Sequence, residues 1–222
     1  MGPAATVDFY AKLTAATSAK SDQEHVPVVI WADPTVPDRV AALVNGQEDP
    51  TPWLVYGAQM LAKCGADLIV MPCNTAHAFL PGLESAVDTP IISMIEAAVD
   101  CLADVTPSPL KVGLLATDGT LQTRLYQSQL SRSGIACITP RNNSQQFLME
   151  ALKSIKAGDV GADVEDCLTQ VALGLVEDGA EVIIAGCTEI LISLRPESVP
   201  VPVIDPAREL AHKAIQIWRL SA

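Results

Sequence analysis

Short, wholly apolar runs alternate along this chain with longer stretches in which apolar residues recur every three or four positions. The runs are "VPVVIWA" (26–32), "DLIVMP" (67–72), "PIISMI" (90–95), "KVGLLAT" (111–117), "IACITP" (135–140), "EVIIAG" (181–186) and "VPVIDP" (201–206). Each reads as a strand. Between them, "PTPWLVYGAQMLAKCG" and "QQFLMEALKSIKAG" have helical spacing and a closing Gly as a stop signal. Strands apolar on both faces and separated by helices predict an α/β fold with a mainly parallel sheet covered on each side. Ligands in such folds collect at the carboxyl ends of the strands.

The pattern also repeats. "GADLIVMPCNT" (65–75) and "GAEVIIAGCTE" (179–189) share Gly-Ala, an acid, an aliphatic run, a two-residue shoulder and a Cys. Two similar lobes follow, over 1–105 with Cys73 and 106–222 with Cys187, each a mainly parallel sheet flanked by helices, with the active site in the cleft between them. "DVTPSPLK" (104–111) is the expected hinge, the last helix of lobe one is expected to cross over, and the final helix to pack on lobe one. Lobe two opens with a strand, a Gly turn and a helix, "KVGLLATDGTLQTRLYQSQL", whereas "GPAATVDFYAKL" matches only the turn and helix. By this register the first strand of lobe one is missing, and the expectation is a fragment begun at an internal Met.

Composition narrows the setting. Hydrophobic residues make up 49% and charged ones 18% of 222 residues, with mean hydropathy +0.29. No apolar run approaches the roughly 18 residues of a spanning helix, so no membrane partner is expected. A net charge of −12, with 14 Lys and Arg among 26 acids, argues against nucleic acid but leaves small anions open. The start "MGPAATVDFY" lacks a basic region followed by an apolar core, so the six cysteines are expected to be reduced thiols in the cytoplasm.

Two of those cysteines stand out. Cys73 and Cys187 each end a strand and precede helix-start residues, Asn-Thr and Thr-Glu. The positive end of a helix is expected to lower the pKa of a thiol there. Cys64, Cys101, Cys137 and Cys167 fit ordinary apolar packing. A metal is not expected: only His77, four residues after Cys73, stands at ligand spacing. CxxC is absent, which counts against a redox disulfide. A Cys73 nucleophile with His77 as base is a rival, lacking an identifiable third member. Two thiols facing across a cleft are suited to moving a proton, one removing it from a carbon while the other supplies one from the opposite side. His77 either orients Cys73 or the substrate, or is a partly buried polar side chain. Glu189 is either a proton partner of Cys187 or a first-turn carboxylate. Arg39, taken alone, reads as a loop cation.

"MPCNTAH" and "GCTE", with "PDR" (37–39), "VGLLATDGT" (112–120) and "GPAAT" (2–6), resemble the aspartate/glutamate racemase family, and most of all its aspartate racemase branch. The resemblance spans nearly the whole chain. It implies two pseudo-symmetric lobes, no cofactor, a homodimer, and interconversion of L- and D-aspartate, with glutamate as a second dicarboxylic candidate. Cys73 and Cys187 would be the acid/base pair. Asn74, Thr75 and Ala76 would bind the α-carboxylate, Thr188 would do so from the other lobe, Thr117 would line the cleft, and Arg39 and Lys156 would hold carboxylates. Two departures are visible: only "MGP" remains of the family's Gly-Gly-Met-Gly-Pro turn, and Glu189 stands where glutamate racemases usually carry His. Hydantoin racemases, maleate isomerases and decarboxylases on the same scaffold, and a non-catalytic two-lobed binding protein, are the alternatives.

Overall fold

A computed structural model describes residues 2–221. Helix α1 (Pro3–Thr17) begins with Pro at its first position, where the missing N–H costs nothing. Then follow α2 (Arg39–Asn45), α3 (Thr51–Lys63), β1 (Ile69–Val70), a 3₁₀ turn (Thr75–Phe79), α4 (Leu80–Glu84), β2 (Ile91–Ile92) and α5 (Met94–Asp100). The second half runs β3 (Lys111–Ala116), α6 (Asp118–Gln122), α7 (Leu125–Arg132), β4 (Ala136–Ile138), α8 (Asn142–Lys156), α9 (Ala162–Glu177), β5 (Val182–Gly186), α10 (Ile190–Ser193), β6 (Val203–Ile204) and α11 (Pro206–Ser221).

All strand pairs are parallel. β1 pairs with β2, and the other four lie in the order β4-β3-β5-β6. β3 and β5 share five register pairs, Val112 with Val182 through Ala116 with Gly186. Their side chains are buried on both faces. One face packs on α8 and α9 through Leu148, Leu168 and Leu175, the other on Ile95, Val99, Tyr126 and Leu130 of α5 and α7. Burying each such side chain stabilises the fold by about 1.5–3 kcal/mol, which holds the ends of β3 and β5 in fixed positions. Ile95 and Val99 follow the strands of the first lobe yet pack on the sheet of the second. Leu210 and Ala211 of α11 in turn pack on Phe9 and Leu13 of α1.

Two expectations are corrected. Residues 26–32 form no strand, because nothing in the described residues pairs with them; Val28, Val29, Ile30 and Trp31 are exposed. The strands read at 67–72 and 90–95 pair over only two residues each, and α5 already begins at Met94. Among the described residues no helix is long and apolar enough to cross a membrane.

Candidate active site

β1 and β5 each deliver a chain turn to the same place. The cavity there is lined by Cys73, Asn74 and Thr75 after β1, by Cys187, Thr188 and Glu189 after β5, and by Thr117 after β3. Arg39 joins from the first turn of α2 and Lys156 from the last turn of α8. The enclosed space is about 30 Å³, enough for a water or two.

Local structure explains the placement. Asp38 caps α2 by accepting the Ala41 N–H at 2.8 Å, which fixes Arg39 as the first helical residue. Thr117 caps α6, accepting the Thr120 N–H at 3.3 Å. α2 lies close on α6 at Gly119, where an added Cβ would come within 3.3 Å of the Val40 backbone and 3.0 Å of Thr75 Cγ2. The hydroxyls of Thr75, Thr117 and Thr120 close a buried triangle with edges of 2.9, 3.0 and 3.1 Å, joining the two lobes beside the cavity.

Asn74 is set from the other lobe. The hydroxyl of Tyr126, fully buried, donates to Asn74 Oδ1. The amide is thereby oriented, and its Nδ2 has no partner. Arg39 behaves alike: Nη1 donates to the carbonyls of Pro37 and Val36 at 3.0 and 3.3 Å, whereas Nε is buried without a partner. A buried donor left unmade costs about 1–3 kcal/mol, so two of them on cavity residues mark a place for an acceptor. Lys156 and Arg39 make no ion pair among the described residues.

The thiols differ. Cys187 is buried, and its Sγ donates to Glu189 Oε2 at 3.0 Å; Thr188 Oγ1 donates to the same oxygen at 3.0 Å. Burial first, and the Glu189 carboxylate second, push the Cys187 thiol well above its ordinary pKa, while the charge of Lys156 acts the other way. The expected lowering is therefore wrong for Cys187. The helix after it, α10, has only four residues, and the chain after Cys73 enters a 3₁₀ turn, so neither thiol faces a long aligned helix. Among the other thiols, Cys64 is exposed and Cys101, Cys137 and Cys167 are half-buried rather than in the core.

Two expected site residues lie off the cavity. Ala76 is fully buried in the apolar cluster with Leu54 and Met71. His77 is buried too: its Nε2 accepts the Met94 N–H at 2.9 Å, which leaves Nδ1 protonated to donate to the Cys73 carbonyl at 2.9 Å. It holds the Cys73 backbone and is not a free base. Burial depresses its pKa to about 4 from 6.5. Because the unfolded chain takes up a proton first, stability rises with pH across that window and is lost on acidification from 6.5 towards 4. The loss should approach roughly 3 kcal/mol at the low end, and His77→Asn should flatten the slope in urea unfolding midpoints measured between those pH values. An unchanged slope would mean that other groups carry the acid sensitivity.

Sequence reading missed Tyr126 and Thr120, which act on the site from the second lobe, and Gly2, Ala5, Asp38 and Val40 in the lining.

The profile of the Asp/Glu/hydantoin racemase family matches residues 1–214. The chain belongs to that family. It is 25% identical to the broad-specificity amino-acid racemase RacX of Bacillus subtilis, over 98% of this chain and 95% of that one. The aspartate racemase of Picrophilus torridus superposes with a TM-score of 0.87 at 29% identity, covering 97% of this chain and 90% of that one. An aspartate racemase homologue from Pyrococcus horikoshii has the same fold, with a TM-score of 0.75 at 23% identity over 97% and 94% of the two chains. The two-lobed racemase fold and the family expected from the motifs are thus shown.

Proposed function

We propose that this racemase-family protein interconverts the enantiomers of aspartate by two-base proton transfer between Cys73, Cys187 and Cα. The observation that carries the reading is one small cavity lined by two thiols and by Arg39 and Asn74, whose Nε and Nδ2 are buried donors without a partner. The thiols supply the acid and the base. The donors supply what an amino acid needs before its Cα proton can leave, namely stabilisation of the charge that grows on its carboxylate.

The resting arrangement supports a division of roles. Cys187, buried against Glu189, starts protonated. Cys73 as thiolate takes the Cα proton of one enantiomer, and the Cys187 S–H delivers its proton to the opposite face, leaving Cys187 as thiolate and Cys73 as thiol. The other enantiomer is processed from that second state. Glu189 and burial oppose a thiolate on Cys187 and prevail over Lys156, which favours it, so the resting form is the thiol and the thiolate is the less stable of the two states. Asn74 Nδ2 and the threonine hydroxyls suit the α-carboxylate. Arg39 and Lys156 suit the side-chain carboxylate. No step calls for a cofactor or a metal.

The cavity is too small for an amino acid, so the lobes must part to admit it and close again to exclude water. The likeness to a broad-specificity racemase favours a second reading, in which several amino acids are turned over. Homodimeric assembly and a cytoplasmic location belong to the proposal. Chiral chromatography after incubation with L-aspartate, L-glutamate or L-alanine tests it: D-aspartate should form fastest, and iodoacetamide should abolish the activity. Equal turnover of all three would favour broad specificity, and no D-product from any would remove the racemase reading.

A further inference from the structure

The lining of the thiol cavity carries two cations, Arg39 and Lys156, and two acids, Asp38 and Glu189. The acids are not alike. Asp38 is exposed and accepts the Ala41 N–H at 2.8 Å as the cap of α2, so its carboxylate is already engaged. Glu189 is half-buried and stands just before α10, yet its side chain makes no capping bond to that helix.

One oxygen of Glu189 is occupied and the other is open. Oε2 accepts from Cys187 Sγ and from Thr188 Oγ1, each at 3.0 Å. Oε1 makes no hydrogen bond or ion pair among the described residues. It lies beside Gly2, where an added Cβ would stand 3.4 Å from it, so the bare glycine leaves room at this oxygen.

The charges of an amino acid say what belongs there. Arg39, Lys156 and Asn74 Nδ2 suit carboxylates, and none of the three can accept a hydrogen bond from an ammonium. The hydroxyls of Thr75 and Thr117 can, but they are neutral and already bonded to each other. An ammonium brought into the cavity without an anionic partner loses hydration that nothing replaces. Glu189 is the lining acid free to take it. Its Oε2 is 3.0 Å from the sulfur of Cys187, so a group carried on the carbon that this thiol serves is within reach of Oε1.

We infer that Glu189 seats the α-ammonium of the substrate, so that the cavity takes free α-amino acids and turns away ligands of the same carboxylate pattern whose nitrogen is acylated or absent. The inference rests on the reading of this cavity as an amino-acid site and adds what selects among its ligands.

Calorimetric titration with three ligands tests it: L-aspartate, succinate, which lacks the nitrogen, and N-acetyl-L-aspartate, in which the nitrogen is neutral. Interconversion of the aspartate enantiomers keeps the ammonium and does not disturb the comparison. The unaltered chain should bind L-aspartate at least about tenfold more tightly than either of the others, since a group built to pair with a charged donor is left unpaired without it. Glu189→Gln should weaken L-aspartate by about tenfold or more and leave succinate unchanged or tighter, because the carboxylate that repels the diacid is gone. Glu189→Asp, which keeps the charge at shorter reach, should retain part of the preference. Succinate bound as tightly as L-aspartate by the unaltered chain would overturn the inference without recourse to a variant. In Glu189→Gln, an equal loss on L-aspartate and succinate would make the residue structural, and no loss on either would confine it to Cys187; both results overturn the inference. Failure of the racemase reading looks different: no D-aspartate from the unaltered chain, while its preference for L-aspartate over succinate persists. No binding of any of the three would overturn both.

Discussion

Replacing either thiol, as Cys73→Ala or Cys187→Ala, should lower racemisation by between about 10²- and 10⁴-fold while amino-acid binding persists. A two-base exchange needs a proton acceptor on one face of Cα and a donor on the other, and each variant lacks one of them. The fold should survive, since neither change removes more than a sulfur from the packing; Cys187 is buried on a cluster that includes Leu115 and Ile190. The remaining thiol can still abstract and return a proton on its own face. Each variant should therefore exchange the Cα hydrogen of one enantiomer with solvent, and the two variants should differ in which enantiomer they exchange. Steady-state turnover near the unaltered level in either variant would defeat the mechanism.

Arg39→Ala should lower kcat/KM for aspartate by about 10²-fold and for alanine by much less. Arg39 presents a buried Nε with no partner beside the thiols, and a charge-assisted hydrogen bond lost there is worth about 1.5–3 kcal/mol. Alanine has no side-chain carboxylate to lose. Arg39→Lys should not restore the aspartate activity, because Nη1 already binds the Pro37 carbonyl and a single ammonium cannot hold that contact and a carboxylate with the same planar fork. An equal loss on both substrates would assign Arg39 to the α-carboxylate instead.

How much of this was legible depended on distance along the chain. Cys73 and Cys187 were readable because the repeat places each at the end of an apolar run, and the structure brings them to one cavity. The central strands β3 and β5 were readable because both faces are buried, which leaves a continuous apolar run. The run at 26–32 has the same composition but no strand beside it, and composition cannot say whether a partner is present. Tyr126 and Thr120 were invisible for a different reason. Their partners Asn74 and Thr75 lie 52 and 45 residues away, and only the docking of two lobes brings them together. The error over the Cys187 thiol was one of magnitude: a four-residue helix offers little positive potential, while full burial and a carboxylate at 3.0 Å act directly on the sulfur. His77 was readable as a neighbour of Cys73 but not as its backbone tether, because the Met94 N–H that fixes its tautomer lies 17 residues on, at the start of α5.

Early-time labelling in deuterium oxide tests the two-thiol transfer most directly. Starting from pure L-aspartate, the first D-aspartate formed should carry solvent deuterium at Cα while the remaining L-aspartate stays unlabelled, since the base and the donor are different groups. Starting from D-aspartate the pattern should mirror this. Deuterium appearing equally fast in substrate and product would show one mobile base serving both faces, and would contradict the account.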